Sequence, residues 1–259
     1  MTIDFSVITI YELMALILAA VAIVIPPLAK LTWERLIRKP KINYYHDKKI
    51  RLYFNLSGSY VRINGTLEAL NQPVLIKDIS VSIRKKNSGK LDLSWSIFFS
   101  PVTQHFIGAM AQANEVAHPF RIEANSVSCA FIEFADRNEI AFRNINLSTK
   151  ELFDTIPALM GSAQNYQTAL SQYENIDLYK NACQNISKEL FWDIGKYEVL
   201  LTVSYLDKQK TFKYYFDIHE RECAVLQQNI KECLLAPLKN AFNVKSNFQE
   251  PTVELREFK

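Results

Sequence analysis

The side chains able to do chemistry in this chain of 259 residues are few and scattered. The four histidines, His46, His105, His118 and His219, are isolated, and neither H-x-H nor H-E-x-x-H occurs. Zinc needs several nitrogen, sulfur or oxygen donors converging on one ion, and close spacings let one stretch supply two of them. None is present, so no metal site is expected. His219, Glu220, Arg221, Glu222 and Cys223 crowd one stretch. On a helix, however, His219 and Cys223 share a face while the two acids point elsewhere, and acids near a helix start favour its positive dipole end. That pattern reads as a solvated helix start. Glu133, Asp136 and Glu139 could hold a divalent cation, but they flank Ala135-Asp136-Arg137-Asn138, which has the composition of a polar turn.

The chain has only six glycines, and none falls in G-x-x-x-x-G-K, G-x-G-x-x-G or G-x-S-x-G. A phosphate cradle needs close backbone approach and exposed N–H groups, and a nucleophile elbow needs a tight glycine-flanked turn. Neither is advertised, so no catalytic residue and no cofactor are expected. Cys129, Cys183, Cys223 and Cys233 show no C-x-x-C pairing and read as free thiols of a reducing compartment.

The carboxyl in the least ordinary setting is Glu12. It lies within Val7–Ile25, VITIYELMALILAAVAIVI, which is closed by Pro26-Pro27, and Leu13 to Ala29 carries no charge. Nineteen helical residues rise roughly 28 Å, close to the roughly 30 Å hydrocarbon core of a bilayer. The apolar character runs all round, with no polar stripe to mark a surface helix. A single N-terminal transmembrane helix is expected over residues 1–29. In such a span Glu12 can stay protonated, reach the interface, or bond to a neighbouring copy and support self-association.

Topology follows from charge. Lys30 to Arg51 holds eight basic residues against Glu34 and Asp47, whereas no Lys or Arg precedes the helix. Lys/Arg excess marks the cytoplasmic flank, so the N-terminus is expected outside and the remainder in the cytoplasm, under a bacterial inner membrane. Residues 30–49 read as a basic juxtamembrane linker, with Lys30, Trp33, Arg35, Arg38, Lys39 and Lys41 as candidate lipid contacts and Trp33, Tyr44 and Tyr45 at headgroup level. Beyond residue 51 the charge is near neutral, without the basic stripe that nucleic-acid binding requires, so no nucleic acid is expected.

From Ile50 the hydrophobic period becomes two. Val61, Ile63, Gly65, Leu67 and Ala69 alternate with Arg62, Asn64, Thr66 and Glu68, the pattern of an antiparallel sheet with one solvated face. Further strands are expected at Val74–Arg84, Leu91–Phe99, Pro119–Ile122 and Val127–Phe134, while 100–117 reads as a short helix or loop. Ser148 and Glu151 have capping-box spacing, and Leu152, Phe153, Ile156, Leu159 and Met160 recur at helical spacing. A helical insertion is therefore expected over 148–191. Strands return at Lys196–Leu206 and Thr211–Ile218, and a C-terminal amphipathic helix at His219–Phe242 places Leu226, Ile230, Cys233, Leu234 and Leu238 on one face. Residues 243–259 read as a tail with a short edge strand. The fold class is mainly β with helices, in a domain over 50–242.

Asp193-Ile194-Gly195-Lys196-Tyr197 resembles the tyrosine corner of immunoglobulin-like sandwiches, in which the Tyr hydroxyl bonds backbone at the turn into strand F. Trp95, fourteen residues after Val81, is similar in spacing to the strand-C tryptophan. The resemblance implies an immunoglobulin-like β-sandwich over Tyr60–Ile218, with Val81 and Val199 at the positions the disulfide occupies in antibody domains. Fold alone confers no function. The expectation is a membrane-anchored binding or scaffold module, not an enzyme, that meets membrane lipid and either a protein partner or a homo-oligomer. The rival is a stress or defence effector whose domain senses a ligand and whose anchor assembles to perturb the membrane.

Overall fold

The computed structural model describes residues 10–33, 38–85, 89–106, 109–136 and 139–258, with the side chains of 31, 98–115 and 129–132 left out. A first helix, α1 (Ile10–Thr32), precedes seven strands: β1 (Lys41–Asn55), β2 (Gly58–Leu70), β3 (Val74–Lys85), β4 (Lys90–Phe106), β5 (Ala109–Val116), β6 (Phe120–Ile122) and β7 (Ser126–Ala135). Four helices follow, α2 (Ile140–Phe153), α3 (Ile156–Ser162), α4 (Tyr166–Asn175) and α5 (Asp177–Glu189). Strands β8 (Gly195–Tyr205) and β9 (Lys208–Ile218), helix α6 (Glu220–Ala241) and two short strands, β10 (Thr252–Glu254) and β11 (Arg256–Glu257), complete the chain.

All strands join one antiparallel sheet in the order β10-β1-β2-β7-β4-β3-β8-β9-β11, with β5 on β4 and β6 on β3. Period-two alternation explains which face is inside. Val61, Ile63, Leu67 and Ala69 of β2, and Val199, Leu201 and Val203 of β8, are buried with Trp192, Tyr197 and Phe216 in a single core. The sheet curls until its outer strands, β1 and β9, approach each other, giving a nearly barrel-shaped body. Tyr44 of β1 packs on Phe212 and Tyr214 of β9, and Lys210 donates from Nζ to the Ile42 carbonyl at 2.6 Å. The chain's C-terminus bridges the remaining seam. Thr252–Glu254 pairs with β1 and Arg256–Glu257 with β9, while Leu255 between them is 1% exposed.

Several elements depart from the sequence expectations. The stretch expected as linker to residue 49 becomes strand from Lys41, because Ile42 and Tyr44 alternate into the core. Tyr44 is thus a buried ring whose edge lies over Gly65, where a Cβ would collide with it, and not a headgroup contact. Helix α2 begins at Ile140, capped by the Asp136 carboxylate, which accepts the Ile140 amide at 3.0 Å. The capping box read at Ser148 lies mid-helix, and the Ser148 hydroxyl donates back to Ile145. Pro157 stands in the first turn of a separate helix, α3, where a proline sacrifices no helical bond. Residues 100–106 and 109–116 belong to the paired strands β4 and β5, in place of the expected short helix or loop. The short edge strand expected in the tail is present, as β10 and β11.

The Asp193–Tyr197 motif does bond as its spacing suggests. The Tyr197 hydroxyl donates to the Asp193 carbonyl and accepts the Asp193 amide, both at 2.8 Å. The pairing around it differs from an immunoglobulin sandwich. There, strands B and F lie on facing sheets; here their counterparts β3 and β8 are hydrogen-bonded neighbours, with Val81 opposite Leu201 and Ile83 opposite Val199. Trp95 sits on β4, which also pairs directly with β3.

Candidate functional site

Antiparallel pairing defines two ends of the body. At one, the chain enters β1 at Lys41 opposite Leu70, and the β2–β3, β6–β7 and β8–β9 turns cluster. At the other lie the β1–β2 turn and the junctions of β7 with α2, α5 with β8 and β9 with α6.

The first end carries the sequence-expected lipid contacts. Helix α1 is the one helix among the described residues long and apolar enough to cross a membrane, with mean hydropathy 2.3 over Ile10–Lys30 and no part of that stretch buried. Glu12 stands in its first turn and Lys30 in its last. Trp33, Arg38, Lys39 and Lys41 are exposed, and Asn71 fixes the Lys39 carbonyl at 3.0 Å. Arg35 lies outside the described residues. Eight residues separate Thr32 from Lys41, a tether of at most about 30 Å.

The second end holds a half-open groove of about 520 Å³. Val116 and Phe142 give it exposed apolar side chains beside the strand segment that carries the buried Trp95; Ser57, Ser94 and Ser96 supply hydroxyls, and Asp136 and Glu139 line its acidic side. Its shape comes from a bulge in β4 between Trp95 and Ile97 and from the turn of β7 into α2. Glu139 takes a left-handed conformation there, with φ of 53°. A smaller hollow of about 290 Å³ shares Ser94 and Asp136 and runs over Ser80, Ser82, Asp92 and Thr202 on the outer sheet face. Burial pushes the Asp92 pKa up, but the Lys90 ammonium at 2.7 Å, the Ser82 hydroxyl and the Arg84 charge together outweigh it and lower the carboxyl. Among the described residues no histidine or cysteine lines either hollow, and the Asp136 carboxylate accepts the Ile140 amide as a helix cap. The groove sets an exposed aromatic ring beside several hydroxyl and carboxylate groups. The sequence carried a signal for it: Ser94 and Ser96 flank Trp95 at period two, small polar side chains where an outer face usually carries long ones.

The other sequence-marked clusters resolve into structural roles. Glu133 pairs with Arg62 directly across β2 and β7 at 2.7 Å, which separates it from Asp136 and Glu139. Among the described residues no group of three metal-ligating side chains converges. His219 precedes α6, and its amide is accepted by Glu222 at 3.1 Å. Cys223 and Cys233 are buried and Cys183 is half-buried, all free; burial raises all three thiols, that of Cys233 to about 12. The side chain of Cys129 lies outside the described residues. The aromatics of β8 and β9 mainly cover the core: Tyr197 stacks on Phe216 at 5.1 Å, and burial raises the Tyr197 hydroxyl to about 12. Tyr215 faces outward between Lys196 at 4.0 Å and Phe258 at 5.4 Å.

No family model matches the chain, and no curated protein matches it. Among solved structures, it is similar to a family 123 glycoside hydrolase from Clostridium perfringens, at 10% identity and a TM-score of 0.31. The likeness covers 70% of this chain but only 27% of that one. A likeness so distant carries no argument about fold or activity.

Proposed function

We propose that this chain is a single-pass membrane protein whose β-rich domain lies in the cytoplasm and acts by binding a protein segment, from a partner or a second copy, at the groove beside Trp95. The observation that carries the reading is α1, a hydrocarbon-length apolar helix that the rest of the molecule leaves uncovered. Water does not tolerate such a surface, and a bilayer covers it without residue-specific contacts. The basic flank after the helix supports the orientation, by the positive-inside bias. The groove lies at the end of the domain away from the tether, where a cytoplasmic partner has access.

The reading is tested in membrane vesicles of opposite sidedness. The half-buried Cys183 should react with a membrane-impermeant maleimide in inside-out vesicles and not in sealed right-side-out ones, while the chain stays with the membrane at alkaline pH. Release into the soluble fraction would defeat the anchor. Labelling from outside would defeat the orientation. For the groove, Phe142→Asp should abolish the partner or self-association seen in detergent extracts of the wild type, with the thermal midpoint unchanged because Phe142 is 37% exposed.

A further inference from the structure

Turn β8–β9 contains a residue that local energetics disfavour. Tyr205 pairs with Lys208, so Leu206 and Asp207 form a two-residue turn. Both favoured turns of that length need positive φ at the first central position, where glycine, asparagine or aspartate is at home. Leucine stands there at φ 50° and is 39% exposed, so neither conformational preference nor burial accounts for it. Its neighbour is also apolar and exposed: the Leu206 amide bonds the Leu75 carbonyl at 3.4 Å, and Leu75 is 42% exposed on the outer face of β3.

The surroundings of this leucine pair are basic. Lys77 and Lys208 are exposed beside it, and Arg121 stands opposite Leu75 on β6. Further round the same rim are Arg38, Lys39, Lys41 and Lys210. Lys41 lies near enough to Lys210 to help burial lower the Lys210 pKa, so the positive charge is concentrated there. The acids of the rim are Asp207, held by Lys77 at 3.1 Å, Glu123, held by Arg121 at 2.9 Å, Glu68, bonded to Asn43 and Tyr45, and the half-buried Asp78 opposite Ser204. The bases outnumber them. This is also the end that a tether of at most about 30 Å keeps near the last turn of α1.

We propose that the Leu75–Leu206 tip, within its lysine rim, is a second membrane contact through which the domain itself docks on the anionic leaflet. Two exposed leucines inserted at headgroup depth, with ammonium groups on the phosphates around them, match the chemistry of an anionic bilayer surface. The proposal rests on α1 being the anchor, and it predicts an orientation: the β8–β9 turn down, the groove beside Trp95 facing the cytosol.

The full chain is reconstituted into liposomes of phosphatidylcholine alone or enriched in phosphatidylglycerol. A diazirine amino acid replaces Leu206, or, in a comparison protein, Ile194, which is 49% exposed at the opposite end. Flotation first checks that the chain is in the bilayer, so failure of the anchor is seen separately. After irradiation, lipid adducts should form several-fold more at 206 than at 194 and increase with phosphatidylglycerol, and Lys208→Glu should reverse that increase. Equal lipid yields at 206 and 194 in floated protein would overturn the proposal, as would adducts at 206 formed with a second copy of the chain.

Discussion

The imidazole of His46 accepts the Lys48 amide at Nδ1, meets Glu257 from Nε2 at 3.6 Å and packs edge-on to Tyr214 at 4.6 Å. Burial lowers its pKa, and Glu257 and Asp47 only partly counter this. The unfolded histidine, near 6.5, therefore binds a proton before the folded one does. Stability contributed by neutral His46 is complete above about pH 6.5 and is lost as pH falls through the lower folded value. Acidification from pH 7 to 5 should speed hydrogen exchange at the Leu255 amide, which bonds the Lys48 carbonyl at 2.9 Å, once intrinsic rates are corrected. His46→Gln should flatten that dependence. A second outcome at this scale concerns Leu206. Leu206→Asn puts a residue tolerant of positive φ at the turn and should raise stability by about 1 kcal/mol in urea unfolding. Tyr197 was legible in the sequence because its hydroxyl reaches a backbone group only four residues away. The conformation of Leu206 was not, since nothing in a leucine signals a left-handed turn.

Helix α6 shows the same division one level up. Its apolar face, Leu226, Ile230, Cys233, Leu234 and Leu238, follows from the 3.6-residue period and is buried as expected. On the same helix Asn229 and Glu232 are buried too, and these hold the segment that leads to the seam. Asn229 bonds Gln249 twice, its amide donating to the carbonyl at 2.8 Å and its oxygen accepting the N–H at 3.0 Å. Glu232 accepts the Asn247 amide at 2.7 Å and pairs with Lys239 at 2.6 Å. Asn229→Leu would strand both Gln249 backbone groups and should cost about 2 kcal/mol, measured as a lower urea midpoint at constant slope. Neither polar residue could be assigned its role from the sequence, because its partner is backbone 20 residues further on for Asn229 and 15 for Glu232, whose position only packing fixes.

For the molecule as a whole, the last residues close the sheet. Strands β10 and β11 satisfy β1 and β9, whose outer hydrogen-bonding groups would otherwise face solvent as unpaired edges. Removing residues 252–259 should expose both edges and drive self-association, visible as a higher mass by light scattering on size-exclusion chromatography in detergent. A truncated chain of unchanged mass would show that β1 and β9 hold the seam through Tyr44, Phe212 and Lys210 alone. The sequence by itself determined what depends on neighbours along the chain: the apolar length of α1, the strands of alternating pattern, the amphipathic face of α6 and the Tyr197 corner. Tertiary structure alone decided that β3 and β8 pair within one sheet, that the C-terminus seals it, and that Ser57, Trp95 and Phe142 meet in a groove. Those contacts join residues far apart in the chain, and the energies that choose among them, burial and strand pairing, are nearly the same for many alternative partners until the whole core is packed at once.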